Sequence, residues 1–504
     1  IYDFGLQIRG GRDRLPDWTP TTRERFTEAF RASFTGRTEE DRLNGLVTAA
    51  GLTWSEICWL RLIARYLKQV GASWSQDSIA DALLNEAEVT GRLIRLFRAK
   101  FDPEALDGAD VHERHAVLAE HKAALISALD EVGSLEHDRI IRAFLSVIDA
   151  AVRTNAFREH TALALKILPQ ELSWIPEPRP AYEIFVCSPI LEGVHLRYGR
   201  VARGGLRWSD RRDDFRTEVL GLVKAQMVKN TVIVPSGAKG GFFPKKLPDS
   251  LLDRRAWMEG GRACYQVFIN ALLDVTDNLV NGQIEPPTHV LRYDEDDPYL
   301  VVAADKGTAT FSDTANEIAT QRGFWLGDAF ASGGSAGYDH KGMGITARGA
   351  WVSVQRHFRE MGLNPQTDDF TCVGIGDMSG DVFGNGMLRS KTLKVVAAFD
   401  HRHIFIDPDP DPASSYKERQ RLFNLPRSSW GDYDTRLISS GGGVFARSQK
   451  SVTLTPEIRQ LLDVDAPSMQ PAELISAILK SPVDLLWFGG IGTYVKGQAQ
   501  ANHD

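Results

Sequence analysis

The chain has 504 residues, which is enough for about three domains of ordinary size. Hydrophobic residues make up 43% and charged residues 25%, a globular composition that excludes the collagen-like and disordered classes. Because 59 Lys and Arg stand against 66 Asp and Glu, the net charge is −7, which offers no electrostatic basis for binding nucleic acid.

The first third of the sequence is predicted to be helical. Apolar residues recur with a period near 3.6 at residues 57–66 and 93–97, and further helices are predicted at 117–129 and 140–152. No run of about 18 apolar residues is present, so no membrane-spanning helix is predicted. This part carries no motif that indicates chemistry, and we expect a helical packing region over residues 1–175.

Strands are predicted after residue 176, where Pro and Gly bound short apolar runs at 184–186 and 194–196. The pattern then predicts a series of elements: a helix at 213–229, a strand at 231–234, a glycine loop at 235–241, a strand at 300–303, a helix at 343–361, a strand at 370–373, a helix at 377–390, and strands at 393–399 and 484–488. Alternating strands and helices are typical of a parallel sheet with crossover helices.

The four cysteines are far apart in the sequence: Cys58, Cys187, Cys264 and Cys372. Their spacing makes neither a zinc cluster nor a Cys-x-x-Cys motif, so no metal site is predicted and a reducing, cytoplasmic compartment is expected. The chain begins with Ile1 instead of Met, has no signal peptide, and ends in a polar stretch at 498–504. These ends favour a fragment of a longer protein.

Two arginine- and lysine-bearing segments precede the glycine loop. Arg203 stands before Gly204 and Gly205, and Arg207 follows them. Paired glycines beside two arginines let an anion approach both the backbone and a guanidinium. Gln226 and Lys229 share a face at the end of the helix predicted at 213–229. A cation at that place is expected to face a cleft, whereas the alternative for both segments is ordinary solvated charge.

The glycine loop places Lys239 between glycines, and Asp305 follows the strand predicted at 300–303. The loop is not a P-loop, because the Gly-x-x-x-x-Gly-Lys-[Ser/Thr] spacing is absent. If Arg203 and Lys229 lie near Lys239, their charge lowers the pKa of this lysine toward the range that a general base needs. The alternatives are a turn with a solvated lysine, and an Asx turn or helix cap at Asp305.

A glycine motif follows the strand predicted at 370–373. Gly374 and Gly376 allow close approach of a pyrophosphate, and Ser379 takes the place of the third glycine of the dinucleotide fingerprint. Asp400 ends the strand at 393–399, where an acid binds ribose hydroxyls and repels a 2′-phosphate. The acid favours NAD over NADP, while the His-Arg-His sequence that follows it weakens this preference.

Taken in order, these segments resemble the large NAD-specific glutamate dehydrogenases of bacteria. The resemblance extends over about residues 180–496 and rests on five segments: GRVARGGLRWSDRRDDFRTEVLGLVKAQMVKNTVIVPSGAKGGF from Gly199, AADKGTATFSD from Ala303, GSAGYDHKGMGITARGAW from Gly334, GIGDMSGDVFGNG from Gly374, and LLWFGGIGTYVK from Leu485. It implies NAD-dependent oxidative deamination of L-glutamate to 2-oxoglutarate and ammonia.

The resemblance also assigns roles to individual residues. It implies catalysis by Lys239 and Asp305, substrate binding by Arg203, Gln226 and Lys229, and NAD binding by Gly374, Gly376, Ser379 and Asp400. Arg203 stands where the small members of the family have a lysine. The Thr-Gly-Tyr-Gly segment of those members reads Lys-Gly-Met-Gly at 341–344, which leaves Thr346 as the substitute contact, and the serine that selects the substrate side chain has no assigned position.

The implied fold class is α/β, with a helical region at 1–175, a substrate-binding catalytic domain with a mixed sheet at 176–340, and a Rossmann-like NAD-binding domain at 341–504 that is incomplete at its end. A homo-oligomer is implied for the full-length protein. Two alternatives stay open. One is a related dehydrogenase acting on Leu, Val or Phe, and the other is a non-catalytic nucleotide-binding module, in which Lys239 or Asp305 need not be kept.

Overall fold

The computed structural model describes residues 18–105, 111–229, 236–250, 252–303, 305, 308, 310–335, 337, 339–490 and 498, with the side chains of all of these except 111, 112, 202 and 225–229. The chain forms two compact units, residues 1–337 and residues 338–504. Within the described parts, no helix is long and apolar enough to cross a lipid bilayer.

Seven α-helices are described before the first strand, and side-chain caps explain where several of them begin. Thr53 and Glu56 form a capping box at the start of the third helix. Ser75 and Ser134 cap the fourth and seventh helices. The helices are α1 (Pro20–Phe34), α2 (Leu46–Ala49), α3 (Trp54–Gln69), α4 (Gln76–Asn85), α5 (Ala87–Phe101), α6 (Val111–Leu129) and α7 (Leu135–Ala150).

A mixed sheet follows these helices in the first unit. Its described strands are β1 (Ala151–Thr154), β2 (Leu163–Ile167), β3 (Tyr182–Cys187), β4 (Leu191–Arg197), β5 (Ala202–Arg203), β6 (Leu206–Trp208) and β7 (Ser236–Pro244). The order is β1-β2-β3-β4-β7-β5, and β6 also pairs with β7. Neighbours from β1 to β4 and then β7 are antiparallel, whereas β5 and β6 run parallel to β7.

The remaining elements of the first unit surround this sheet. They are α8 (Phe215–Lys229), α9 (Arg254–Leu273), β8 (Asn278–Val280), β9 (Gln283–Glu285), β10 (Val302–Ala303), α10 (Ser312–Gln321) and β11 (Ala331–Ser332). β8 and β9 form an antiparallel pair, and β10 runs parallel to β11. The strand predicted at 231–234 lies outside the described residues.

Side chains alternate between two hydrophobic cores along the strands, as the pleat of a strand requires. On β3, Phe185 points into a core shared with α3, α5, α7 and α8, while Ile184 and Val186 belong to the core shared with α9. The helices before the sheet therefore bury residues in the same core as the sheet itself. The division of this unit at residue 175 stays a prediction.

A cluster of buried charges lies on one face of the sheet. Arg153 of β1 contacts Asp277 at 2.7 Å and Asp294 at 2.5 Å. Lys166 of β2 contacts Asp294 at 2.5 Å and Asp297 at 2.7 Å. Arg197 of β4 binds Asp297 through both terminal nitrogens. These cations hold the segment 294–297 against the sheet, because an unpaired charge is costly to bury.

A second group of ion pairs, the joint at Lys245, links the helical region to the sheet. The Lys245 ammonium, directly after β7, bonds to Glu39 and contacts Glu192 at 2.9 Å and the Ser188 carbonyl oxygen at 2.9 Å. Arg65 of α3 binds Glu39 at 2.8 Å and contacts Glu192 at 3.6 Å. Two carboxylates and two cations thus neutralise each other between the loop after α1, α3 and the sheet.

The second unit is built on a five-stranded mixed sheet. Its described elements are α11 (His340–Met343), α12 (Ile345–Glu360), β12 (Phe370–Ile375), α13 (Asp381–Met387), β13 (Leu393–Phe399), β14 (His403–Ile406), α14 (Pro412–Asn424), β15 (Gly443–Ala446), β16 (Val452–Thr453), α15 (Pro456–Leu462), β17 (Ser468–Met469), α16 (Pro471–Ile478) and β18 (Leu485–Phe488). The order is β15-β14-β13-β12-β18. β12 runs parallel to β13 and β18, whereas β14 is antiparallel to both of its neighbours.

The α/β class with mixed sheets and a helical N-terminal region is confirmed. Four details of the prediction are wrong. The helix predicted at 140–152 ends at Ala150, and β1 and β2 lie inside the region predicted to be helical. The sheet of the second unit is not purely parallel, because a tight turn after β13 returns the chain as the antiparallel strand β14. The helix predicted at 343–361 is interrupted at Gly344, whose φ of 58° ends α11 before α12 begins. The helix predicted at 377–390 is limited to α13.

The buried charges make one carboxylate critical for stability. Burial alone would raise the pKa of Asp297, but Arg197 and Lys166 outweigh it and hold this pKa well below its ordinary range. In Asp297→Asn, the buried cations Arg197 and Lys166 each lose one charged partner. We expect the free energy of unfolding to fall by about 3–5 kcal/mol, measured by urea denaturation followed by tryptophan fluorescence.

Asp213→Asn is the matched control, since Asp213 pairs with Lys68 on the surface. This variant should keep the wild-type urea midpoint. Equal midpoints for Asp297→Asn and the wild type would contradict the clamping role.

Candidate active site

Lys239 lies inside strand β7 and not on a tight loop, which corrects the prediction for residues 235–241. The strand is central in the sheet, and Lys239 is only 6% exposed. The glycines around it serve close packing instead of a turn. A Cβ on Gly240 would lie 3.0 Å from the His195 ring, and a Cβ on Gly241 would lie 2.6 Å from Val219 of α8.

The ammonium of Lys239 forms an ion pair with the carboxylate of Asp305. Asp305 follows β10, and its own loop holds it in place. The Thr308 hydroxyl accepts a hydrogen bond from the Asp305 N–H at 3.1 Å and donates one to the Leu206 carbonyl at 2.6 Å. The structure therefore brings together two residues that lie 66 positions apart and that the resemblance assigns to catalysis.

Arg207 and Glu218 extend this pair into a buried line of alternating charge. Arg207 of β6 contacts Asp305 at 3.2 Å and Glu218 at 2.9 Å. The other oxygen of Glu218 accepts a hydrogen bond from the Ser209 hydroxyl at 2.6 Å. The sequence presents Arg207 only as the second arginine beside the paired glycines, with no link to Asp305, and it assigns Glu218 no role. The available signal was the position of Arg207 two residues after the paired glycines.

Arg203 lies on β5, directly beside the strand that carries Lys239. Its register partner across the parallel pair is Gly237, two residues before the lysine. Gln226 and Lys229 lie in the last turns of α8, but their side chains are outside the described residues. One charged partner of Lys239 is the acid Asp305, which is opposite in sign to the cations expected beside the lysine.

In the second unit, the glycine motif forms a tight turn between β12 and α13. Gly376 has a φ of 138°, and its carbonyl accepts a hydrogen bond from the Trp430 ring N–H at 2.8 Å. One carboxylate oxygen of Asp377 accepts bonds from the Ser379 N–H and hydroxyl at 2.9 and 2.5 Å and from the Gly380 N–H at 3.2 Å. Asp377 thus engages the donors expected for a phosphate.

Asp400 sits at the carboxyl end of β13, at the same sheet edge as the glycine motif. It is 3% exposed, and its Oδ1 accepts bonds from the N–H groups of Arg402 and His403, both at 2.6 Å. Its Oδ2 is buried and has no hydrogen-bond partner among the described residues. This orphan acceptor fits a hydroxyl donor, as a ribose would supply.

The substitute candidate for nicotinamide contact lies in α12, and residue 341, where the small members of the family have a threonine, lies in α11. Thr346 is in the first turn of α12 and is exposed. The Lys341 ammonium is engaged elsewhere, since it donates to the Phe423 carbonyl at 2.9 Å and lies over the Phe423 ring. Thr346 therefore stays a candidate, whereas Lys341 is tied to α14.

Fold and site together define a class: an α/β protein with a buried lysine–carboxylate pair in one unit and a nucleotide-type strand–turn–helix motif in the other. The family model described as bacterial NAD-glutamate dehydrogenase, catalytic domain, matches residues 124–504. The chain belongs to this family. A second model, glutamate dehydrogenase helical motif 3, matches residues 38–103.

Three curated bacterial relatives are similar over 96–100% of the chain. The NAD-specific glutamate dehydrogenase of Halomonas elongata is 56% identical over 100% of this chain and 31% of that protein. The enzyme of the same name from Mycobacterium tuberculosis is 57% identical over 96% of this chain and 31% of that protein. The chain thus spans about a third of the length of the curated relatives it matches.

A solved glutamate dehydrogenase from Plasmodium falciparum is 14% identical, covers 72% of this chain and 66% of that chain, and has a TM-score of 0.35, too low to support any argument. The match at residues 38–103 places a helical motif of this family within the region that is expected to be a helical packing region. It shows that the joint formed by Glu39, Arg65 and Lys245 lies partly in a family motif.

His195, which packs on Gly240 beside the lysine strand, makes stability depend on pH. Burial, assisted by Arg197, lowers the pKa of His195 to about 3, and both ring nitrogens lack a hydrogen-bond partner among the described residues. The unfolded chain takes up this proton near pH 6.5 and the folded chain does not. The contribution of His195 to stability is therefore complete above pH 6.5 and decreases by about 1.4 kcal/mol per pH unit as the pH falls from 6.5 toward 3.

We expect His195→Phe to flatten this fall between pH 6.5 and pH 5, measured by urea denaturation at each pH. His357→Phe, at an exposed position of α12, should retain the wild-type pH dependence. The explanation is wrong if His195→Phe and the wild type lose stability in parallel as the pH falls.

Proposed function

We propose that this chain carries the catalytic machinery for NAD-dependent oxidative deamination of L-glutamate to 2-oxoglutarate and ammonia. The observation that carries the proposal is the buried ion pair of Lys239 and Asp305. The names of the curated relatives support the same reaction. Because the chain spans about a third of those relatives, the activity, substrate and partners of the whole protein belong to this proposal.

Lys239 and Asp305 would move the protons of the reaction. Their charged atoms are in direct contact, so a proton can pass between them without an intervening water. Lys239 would activate the water that attacks the iminium carbon. Asp305 would carry protons to and from the substrate nitrogen. NAD, when bound, accepts the hydride that leaves the α-carbon.

Arg203, Gln226 and Lys229 would hold the two carboxylates of glutamate. Arg203 is on the strand next to Lys239, and the last turns of α8 carry the other two. A guanidinium can bind a carboxylate through two parallel hydrogen bonds. Carboxylates fixed in this way present the α-carbon in one orientation before the chemistry begins.

Gly374, Gly376, Ser379 and Asp400 would bind NAD in the second unit. The orphan oxygen of Asp400 supports a ribose hydroxyl at this place and disfavours a 2′-phosphate. Phosphate binding to the Ser379 and Gly380 N–H groups requires that Asp377 release them. The residues present therefore fit the dinucleotide once the Asp377 side chain turns away.

A cytoplasmic location and a homo-oligomeric full-length protein complete the proposal. The four cysteines are free, which supports a reducing compartment. The oligomer rests on the family resemblance alone.

The function is tested by NAD reduction with glutamate, leucine, valine and phenylalanine, using the protein produced from its native gene. Glutamate should be preferred. Lys239→Ala and Asp305→Asn should each lower kcat by about 10²- to 10⁴-fold, because each removes a proton-transfer group. Lys246→Ala, at an exposed lysine just beyond β7, is the matched control and should retain activity.

Circular dichroism establishes that each variant is folded. Near-normal turnover by folded Lys239→Ala would overturn the catalytic assignment. Preferential turnover of leucine would favour the alternative class of amino acid dehydrogenase.

Asp400→Asn tests the preference for NAD. The amide oxygen preserves an acceptor for the turn, but the charge that attracts ribose hydroxyls and repels a 2′-phosphate is lost. We expect the KM for NAD to rise about 10-fold and turnover with NADP to increase. Asp409→Asn, at an exposed pair with Lys394, serves as the control. An unchanged ratio of NAD to NADP use would contradict the role of Asp400.

A further inference from the structure

The line of charges behind Lys239 has a defined connectivity. Asp305 uses one oxygen for Lys239 and the other for Arg207, and Arg207 uses its second terminal nitrogen for Glu218. All four side chains are less than one-fifth exposed. The line therefore begins at the proposed catalytic lysine and ends at Ser209, which donates to Glu218.

We propose that Arg207 is the positioning residue for Asp305: it holds Oδ1 of this carboxylate so that Oδ2 faces Lys239. The role rests on the proposed function, in which Asp305 transfers protons. Arg207 does not touch the reacting atoms, and it acts only through the orientation and charge of Asp305.

The geometry supports orientation as the purpose of this contact. The loop already holds the backbone of Asp305 through Thr308, so the remaining freedom is rotation of the carboxylate. Without Arg207, both oxygens could turn toward the ammonium of Lys239. A guanidinium at 3.2 Å from Oδ1 removes that freedom. The Nε of Arg207 is buried and has no hydrogen-bond partner among the described residues. The orientation of the guanidinium therefore depends on its terminal nitrogens, which contact Asp305 and Glu218.

An arginine suits this role better than a lysine. Its planar fork binds two acids in two directions at once, whereas an ammonium is a point charge. Burial opposes the charge on Arg207, but the hydrogen bond to Glu218 and the attraction of Asp305 raise the pKa of the guanidinium above its ordinary value. Arg207 therefore stays charged and does not exchange protons with Asp305.

Glu218 connects the positioning contact to the helix that carries the substrate residues. It lies in the first turn of α8, where a carboxylate is favoured by the helix dipole, and Gln226 and Lys229 lie near the other end. Arg207 is fixed at its own backbone because β6 pairs with β7, with Arg207 opposite Gly241. Strand, helix and catalytic loop thus meet at one guanidinium.

The test uses Arg207→Met and Arg207→Lys in the protein produced from its native gene. The charged groups in contact with Asp305 include Lys239 from β7 and Arg207 from β6. Loss of the Arg207 charge raises the pKa of Asp305. In Arg207→Met, we expect kcat to fall about 10²-fold with little change in KM for glutamate. We also expect the acidic limb of the pH profile of kcat to move to higher pH by about 1 unit.

Arg207→Lys restores the charge but not the fork, so it should return the acidic limb toward its wild-type position while kcat stays low. A purely structural role would lower activity without moving the limb. Glu218→Gln provides a second variant if Arg207→Met does not fold, and it should lower kcat with a smaller shift, since Arg207 remains. Arg211→Met, which breaks an exposed pair with Asp214, is the matched control.

The outcomes separate this proposal from the function on which it rests. If the wild type oxidises glutamate and Arg207→Met keeps both kcat and the acidic limb, the positioning role is overturned and the function stands. If Arg207→Met does not fold, an unchanged kcat in Glu218→Gln overturns the role. If the folded wild type oxidises none of the amino acids, the proposed function fails and the role of Arg207 fails with it.

Discussion

The buried charge cluster on the first sheet is the constraint on which the candidate site depends. Arg153, Lys166 and Arg197 come from three strands, and each pairs with a carboxylate of the segment 294–297 that leads to β10. Burial of these cations is tolerated only with the partners in place. The segment is therefore fixed at 294–297, a few residues before Asp305. The position of the proposed proton carrier follows from charges that take no part in the chemistry.

Close packing around β7 supplies the other half of the site. Gly240 and Gly241 have no side chains, and this lets β4, β6 and α8 approach the strand more closely than any other residue would permit. Lys239 is therefore buried, while the two glycines that follow it on β7 add no side chains around it. Arg207 reaches the same place from β6, and Glu218 from α8. A charged side chain is held in a central strand because the ion pairs form at the same point.

The sequence predicted local structure where one pattern dominates, and it failed where tertiary contacts decide. The apolar run at 393–399 has the same bounds as β13. The glycines around Lys239 indicated a loop, because a glycine that allows a turn and a glycine that allows close packing look alike in a sequence. The resemblance singled out Lys239 and Asp305 one by one. The link from Arg207 to Glu218 depends on the register of β6 against β7 and on the approach of α8, which no local pattern records.

The ion pairs at Lys245 connect two segments of the chain that match different family models. Glu39 and Arg65 fall within the helical motif at 38–103, whereas Glu192 and Lys245 fall within the catalytic domain at 124–504. These four charges neutralise one another across that border, so either segment transplanted into another protein would bury charges without partners. The helical motif and the catalytic domain therefore depend on each other for the neutralisation of these charges.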